Sequence, residues 1–157
     1  IVEGTSYNTL NSPAFPIWGD SKWMEIYQYD VYKALGWTDK AQSWHNRMLL
    51  ANDNFPKNGT YWYRDWFYPI YEQYGEAKVL NNFFKLLSQN FPTTRIPNGR
   101  KYTRDLNFGE FIHFWSGAAD KDLSELALSA FGDKDRYGNL WHTQLQKAKT
   151  DFNTITY

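Results

Sequence analysis

Val79-Leu-Asn-Asn-Phe-Phe-Lys-Leu-Leu87 is the stretch that decides the fold of this 157-residue chain. Its apolar residues recur at i, i+3, i+4 and i+7, the spacing that places them on one face of an α-helix. The stretch before it, Trp66-Phe-Tyr-Pro-Ile-Tyr-Glu-Gln-Tyr-Gly75, is predicted to be a helix that ends at its glycine. A helix, a glycine stop and a second helix therefore follow one another here.

The same order returns in Phe111-Ile-His-Phe-Trp-Ser-Gly-Ala-Ala-Asp-Lys-Asp-Leu-Ser124, which leads to Phe131 and Gly132. Around these segments the chain divides into an extended arm (1–19), helices (20–90), a long basic loop (91–107) and further helices (108–152). Gly36 is predicted to end a first helix, and Thr38 to cap a second. The sequence thus predicts a mainly α, single-domain multi-helix bundle over residues 1–157.

A proline within one helix and a possible turn within the long loop modify this predicted helical order. A helix from Thr60 contains Pro69, which removes a backbone hydrogen bond and should kink the helix or restart it near Phe67. The loop 91–107 contains Arg95, Arg100, Lys101 and Arg104. Its Asn98-Gly99 pair is compatible with a short β-hairpin.

Aromatic residues make up an unusual 20% of the chain, with 8 Trp, 12 Tyr and 11 Phe. Such side chains bury large areas, and most of them recur here at helical spacing, which favours an aromatic core. The runs Tyr61-Trp-Tyr63 and Trp66-Phe-Tyr68 are, however, too continuous to lie on one face of a helix. They leave open a second interpretation, an exposed platform on which sugar rings stack.

Charge and cysteine content exclude several function classes. Seventeen basic and seventeen acidic residues cancel, so no electrostatic argument favours nucleic acid or an anionic membrane surface. No cysteine is present, which excludes disulfides, thiolate zinc ligands and a cysteine nucleophile. No stretch approaches the roughly 20 apolar residues of a membrane-spanning helix. We therefore expect neither nucleic acid nor membrane as a partner.

Histidines give no local metal site. His45, His113 and His142 lie far apart in the sequence, and His-Glu-x-x-His does not occur. His113 stands among aromatic residues, where a hydrogen-bonded core histidine is more common than a ligand. We therefore predict no catalytic residue and no cofactor within this chain itself.

Residues 133–139 match the first half of a calcium-binding EF-hand loop. Tyr137 replaces an oxygen ligand, however, and Gln144 stands where a bidentate glutamate belongs. A polar turn between helices explains the same residues and is the interpretation we adopt.

Four stretches give the chain a family resemblance. In order they are Ser12-Pro-Ala-Phe-Pro16, Gly19-Asp-Ser-Lys-Trp-Met-Glu-Ile-Tyr27, Arg64-Asp-Trp-Phe-Tyr-Pro-Ile-Tyr-Glu-Gln-Tyr-Gly75 and Gly109-Glu-Phe-Ile-His-Phe-Trp-Ser-Gly-Ala-Ala119 with Asp122-Leu123. Together they resemble the C-terminal part of the Svx/AvrXca-type virulence and avirulence proteins, secreted gluzincin-like zinc metallopeptidases of plant-associated bacteria. The resemblance covers most of residues 1–150.

This resemblance implies a noncatalytic helical subdomain that forms one wall of a peptide-binding cleft and supports a zinc site encoded upstream. The partner would be the upstream catalytic domain of the same protein, and the substrate a peptide or plant cell-wall protein. Zinc is implied for the intact parent protein. Secretion is implied too, although this chain, which begins with Ile1, contains no signal sequence.

Five residues are candidates for the site that the resemblance implies. Trp62, Arg64, Tyr68 and His113 would contribute to substrate binding, and Glu25 would act as a metal ligand only if upstream histidines complete the site. Glu3-Gly4 is the other option for that ligand. The alternative function is an independent, aromatic-rich helical module that binds glycans or a protein partner.

Overall fold

The computed structural model describes residues 22–97 and 99–157, and the arm predicted for residues 1–19 lies outside this range. The helices are α1 (Lys22–Ala34), α2 (Thr38–Met48), α3 (Tyr68–Gln73), α4 (Ala77–Asn90), α5 (Phe108–Ala119), α6 (Ser124–Phe131) and α7 (Trp141–Asp151), with a π-helical turn at Tyr63–Phe67. The strands are β1 (Thr93–Ile96) and β2 (Gly99–Tyr102). The prediction of a mainly α, single-domain fold is confirmed.

Helices α1 and α2 form a tight helical hairpin. Gly36 between them has φ +69°, a left-handed conformation that glycine adopts without a steric penalty. The indole N–H of Trp44, late in α2, donates a 2.8 Å hydrogen bond to the carbonyl of Glu25, early in α1. The start of one helix therefore lies against the end of the other, the antiparallel packing expected for so short a connection.

The π-helical turn comes directly before the proline predicted to disturb this segment. The N–H of Tyr68 bonds to the carbonyl of Tyr63, five residues earlier, and Pro69 lies in the first turn of α3. Proline is tolerated in a first turn because no donor is needed there. An α-helix begins at Tyr68, next to the predicted restart near Phe67, but Phe67 and Tyr68 both keep helical φ and ψ, so the disturbance is a change from π to α geometry and not a break in the helix.

Helix α5 is the centre of the domain. Ten of its twelve residues are buried, as expected for a helix surrounded by other elements. Trp115 of α5 stacks on Phe83 of α4, with ring centroids 4.4 Å apart and planes 17° apart. The α4 stripe that decides the fold is therefore buried against α5.

Glycines let two other elements approach α5 closely. A Cβ atom added to Gly109 would lie 2.2 Å from the backbone nitrogen of Leu145 in α7. One added to Gly117 would lie 2.2 Å from Cγ2 of Ile155. Helix α7 and the segment after it can pack on α5 only because both positions lack a side chain.

Strands β1 and β2 occupy part of the predicted basic loop. They pair antiparallel, with Thr93 opposite Tyr102 and Ile96 opposite Gly99. The long loop is thus interrupted by the short hairpin that the Asn-Gly pair allows. Within residues 22–97 and 99–157, no helix has both the length and the apolar character needed to cross a lipid bilayer.

Candidate binding cleft

The four residues predicted to bind substrate do not converge on one surface. Trp62 and His113 are each only 1% exposed, and they pack against different neighbours. Arg64 is exposed, forms two hydrogen bonds of 2.7 and 2.8 Å with Asp65, and lies over the ring of Tyr61. Their grouping as one binding site therefore has no counterpart in the described contacts.

His113 is built into the core as a hydrogen-bonded histidine. Its Nε2 lies 3.3 Å from the carbonyl of Phe152, so this nitrogen donates, and its Nδ1 accepts from the hydroxyl of Tyr157 at 2.9 Å. Burial lowers the pKa of His113 and raises that of Tyr157 to about 12. A neutral imidazole thus joins α5 to the end of the described chain.

Tyr68 belongs to a cluster of tyrosines around His45. The imidazole centroid lies 4.4 Å from that of Tyr68, and its Nδ1 lies 3.0 Å from the hydroxyl of Tyr63. Tyr63 and Tyr68 stack at 5.5 Å, and burial raises the pKa of both phenols. The rings contact one another directly, so the cluster is packed structure that joins α2 to the π-helical turn.

Glu25 does not by itself form a metal site. Its Oε1 lies 3.3 Å from Nζ of Lys22, which also pairs with Asp53 at 2.6 Å. Its Oε2 is buried with no hydrogen-bond partner among the described residues, and burial raises the pKa of this carboxyl. No group of three or more possible ligands occurs in the described part of the chain, so Glu25 stays a candidate ligand only together with histidines encoded upstream.

A cleft of about 260 Å³ opens between the loop before α5 and the loop before α7. It is lined by Phe55, residues 104–108 and residues 135–137. The aromatic side of the cleft, formed by Phe55, packs against Trp62 of the core. Trp62 donates a 2.7 Å hydrogen bond to the carbonyl of Phe55, and the two rings stack with planes 9° apart.

Arg136 continues this stack to the surface. Its guanidinium carbon lies 5.2 Å from the centroid of Phe55 and 5.4 Å from that of Tyr137, within cation–π distance of both rings. Tyr137 is 72% exposed. Trp62, Phe55, Arg136 and Tyr137 therefore form what we call the aromatic column, which runs from the core to the rim of the cleft.

Arg104 and Glu110 fix the opposite side. Two guanidinium nitrogens of Arg104 bond to the two oxygens of Glu110 at 2.8 and 2.7 Å, and Glu110 is only 3% exposed. The same carboxylate accepts from the N–H of Asn107, whose side chain in turn accepts from the N–H of Glu110. This capping box begins α5 and holds the loop before it in place.

The turn before α7 is organised by Asp135. Its carboxylate accepts from the N–H groups of Tyr137 and Asn139 and from the amide of Gln144. Burial opposes ionisation, but these hydrogen bonds outweigh it and lower the pKa of Asp135. These hydrogen bonds form the polar turn that the sequence predicts between the two helices. The oxygen of the Gln144 amide also accepts from the N–H of Gly109, so this residue ties the turn to α5.

Two ionisable groups in the cleft have no charge partner among the described residues. Arg136 has no ion pair there, and the carboxylate of Asp105 has neither an ion pair nor a hydrogen bond. Partial desolvation raises the pKa of the Asp105 carboxyl. The cleft thus offers one free donor group and one free acceptor group.

Only an indirect signal for this cleft is present in the sequence. Tyr137 stood out as a misfit in a calcium-type loop, and a large aromatic residue beside Gly138 in a turn has few ways to be buried. Nothing in the sequence links Phe55 or Asp105 to that turn, since they come from distant segments.

Comparison of the chain with protein-family models, with curated proteins and with solved structures found no match.

Proposed function

We propose that this chain is the C-terminal helical subdomain of a secreted zinc metallopeptidase of the virulence and avirulence type that its sequence resembles. In this proposal the subdomain is not itself catalytic. It supports a zinc site whose histidines are encoded upstream, and its partner is the catalytic domain of the same protein. Peptides or plant cell-wall proteins are the proposed substrates.

The observation that carries the proposal is how the two predicted helix pairs meet. The glycine stop predicted within the second pair is wrong, because Gly117 lies inside α5 and that helix ends instead at Asp120, which has φ +52°. Helices α3 and α4 lie on either side of Gly75, and α5 and α6 form the second pair. Their aromatic residues share one core, in which Phe83 contacts Trp115 and Trp66 contacts Phe111 at 5.6 Å. A supporting subdomain needs such a body, because a supported site must be held by packed elements rather than by loops.

The test uses the parent protein beside the 157-residue chain. The gene sequence before Ile1 should encode His-Glu-x-x-His, and the parent should contain one zinc per chain and cleave casein. Chelation with 1,10-phenanthroline should abolish that activity. The 157-residue chain alone should retain no stoichiometric zinc after dialysis and show no cleavage.

Two results would contradict the proposal. One is zinc with proteolytic activity in the 157-residue chain, which would mean that it contains a complete site. The other is a parent sequence without a zinc-binding helix, which would favour the alternative of an independent binding module.

A further inference from the structure

We propose that the cleft beside the aromatic column binds a single neutral sugar ring. Asp105 and Arg136 would bond to its hydroxyl groups, and Tyr137 would stack on its face. This site does not depend on the metallopeptidase proposal, because it is formed entirely by described residues of this chain.

The charges of the cleft favour a neutral, polar ligand. Arg104 is neutralised by Glu110, and Asp135 is occupied by hydrogen bonds from its own turn. The remaining pair, Arg136 and Asp105, carries opposite charges. An anionic ligand would meet the carboxylate of Asp105, and a cationic one the guanidinium of Arg136. A ligand whose groups both donate and accept satisfies the two at once, and hydroxyl groups do so.

The aromatic surface adds the second requirement of a sugar site. A pyranose ring presents C–H groups on its faces and hydroxyl groups at its edge, so it can stack on an aromatic ring while its edge forms hydrogen bonds. Tyr137 offers an exposed ring at the rim. Arg136 is held between Phe55 and Tyr137, which orients its N–H groups before a ligand arrives.

The size and rigidity of the cleft suit a ligand of one ring. Its volume of about 260 Å³ lies below the ~300–1,000 Å³ of pockets for drug-sized ligands. The capping box fixes one side, and the hydrogen bonds of Asp135 fix the other. Little ordering entropy would then be lost on binding.

A second surface provides a matched control. Trp37, between α1 and α2, is 50% exposed and lies 6.0 Å from Tyr32, next to a groove of about 330 Å³. The guanidinium of Arg47 covers Trp44 in that groove at 4.4 Å. Trp37→Ala thus removes an exposed aromatic side chain of comparable size outside the cleft.

The experiment is an NMR titration of the ¹⁵N-labelled chain with methyl β-glucopyranoside, N-acetylglucosamine, galactose and glucuronate. We expect at least one neutral sugar to shift the amide signals of residues 104–108 and 135–137, with a Kd of about 1 mM. Glucuronate should bind no more tightly than the neutral sugars. Tyr137→Ala and Asp105→Asn should each weaken binding about tenfold or more, while Trp37→Ala leaves it unchanged.

Thermal unfolding of each variant shows whether it is folded, so that a loss of sugar binding can be assigned to the missing side chain. Both cleft side chains are exposed, so Tyr137→Ala and Asp105→Asn should unfold close to the wild-type temperature. The proposal is overturned if none of the sugars shifts the cleft signals, if the shifts persist in folded Tyr137→Ala, or if glucuronate binds most tightly. Shifts centred on Trp37 would place the sugar in the α1–α2 groove and would overturn it as well.

Discussion

Gly109 and Leu145 bring the backbones of α5 and α7 into direct contact, because a Cβ atom at Gly109 would lie 2.2 Å from the Leu145 nitrogen. Gly109→Ala must therefore push the helices apart, and the N–H of Gly109 would lose its bond to Gln144. We expect a loss of about 3 kcal/mol in the free energy of unfolding, at the upper end of overpacking effects. Urea denaturation measures it.

Gly117→Ala is the control in the same helix. The atom that it would meet first is a methyl group of Ile155, a side-chain atom rather than backbone, so relief by a small shift is easier. Its cost should be clearly smaller than that of Gly109→Ala. Equal costs would mean that backbone contact between α5 and α7 is not what limits the packing.

Arg104→Ala should destabilise the protein by roughly 1–3 kcal/mol, because it leaves the buried carboxylate of Glu110 without its charged partner. Arg64→Ala is the comparison, since the Arg64–Asp65 pair is largely exposed and should contribute only about 0–1 kcal/mol. Chemical denaturation of both variants tests the difference. A cost for Arg64→Ala as large as that for Arg104→Ala would contradict it.

Trp62→Phe should cost about 1 kcal/mol more than Trp66→Phe. Both indoles are buried, so both variants lose similar packing. Only Trp62 uses its N–H, which bonds to the carbonyl of Phe55, whereas the N–H of Trp66 has no partner among the described residues. Midpoints from guanidinium denaturation, with far-ultraviolet circular dichroism to confirm the fold, make the comparison. A larger cost at Trp66 would refute it.

Substitution of a buried tryptophan by alanine should lower the free energy of unfolding by more than substitution by phenylalanine. Trp62→Ala, Trp66→Ala and Trp115→Ala should each lose about 3–5 kcal/mol, because each removes a buried ring and leaves a cavity. Trp37→Ala, at an exposed position, should stay within about 0.5 kcal/mol of the wild type. Denaturation midpoints close to wild type for the three buried sites would disprove the aromatic core.

Stability should fall as the pH drops below about 6.5, because burial lowers the pKa of His113 in the folded state. The unfolded chain then binds a proton that the folded chain excludes, and the slope reaches up to about 1.4 kcal/mol per pH unit. His113→Gln should flatten the profile just below about pH 6.5.

Comparing the pH profiles of His113→Gln and the wild type separates the contribution of His113 from that of Glu25. Burial raises the pKa of that carboxyl, so its protonation at low pH acts in the opposite direction. NMR titration of the His113 ring in the wild-type protein gives an independent value. A His113 pKa at or above the ordinary value of about 6.5 would contradict the prediction.

Most of the fold followed from local signals. The apolar stripe of α4, the stops at Gly36 and Gly75 and the break near Pro69 all depend on nearby residues, and each matches an element of the structure. The hairpin at 93–102 was only a possibility, because an Asn-Gly pair predicts a turn but not whether its flanks will pair.

The cleft could not be predicted in the same way. Phe55, Asp105 and Arg136 come from three loops that are distant in sequence, and only tertiary packing brings those loops together. The position of Trp62 could not be predicted from its neighbours in the sequence either. Its sequence environment allowed both a core position and a sugar platform, and the structure places it in the core at the inner end of the aromatic column.

The π-helical turn at Tyr63–Phe67 sets the rotational phase between the two parts of its segment. Each residue of an α-helix turns the chain by about 100°, and the five-residue hydrogen-bonded turn covers about the rotation of four such residues. Imposing α geometry at the same chain length would therefore rotate Trp62 relative to α3 by about that angle. Its ring would leave the core, and Phe55 would lose its stacking partner. The π geometry of this turn therefore lets the chain carry one more residue while Trp62 still points into the core.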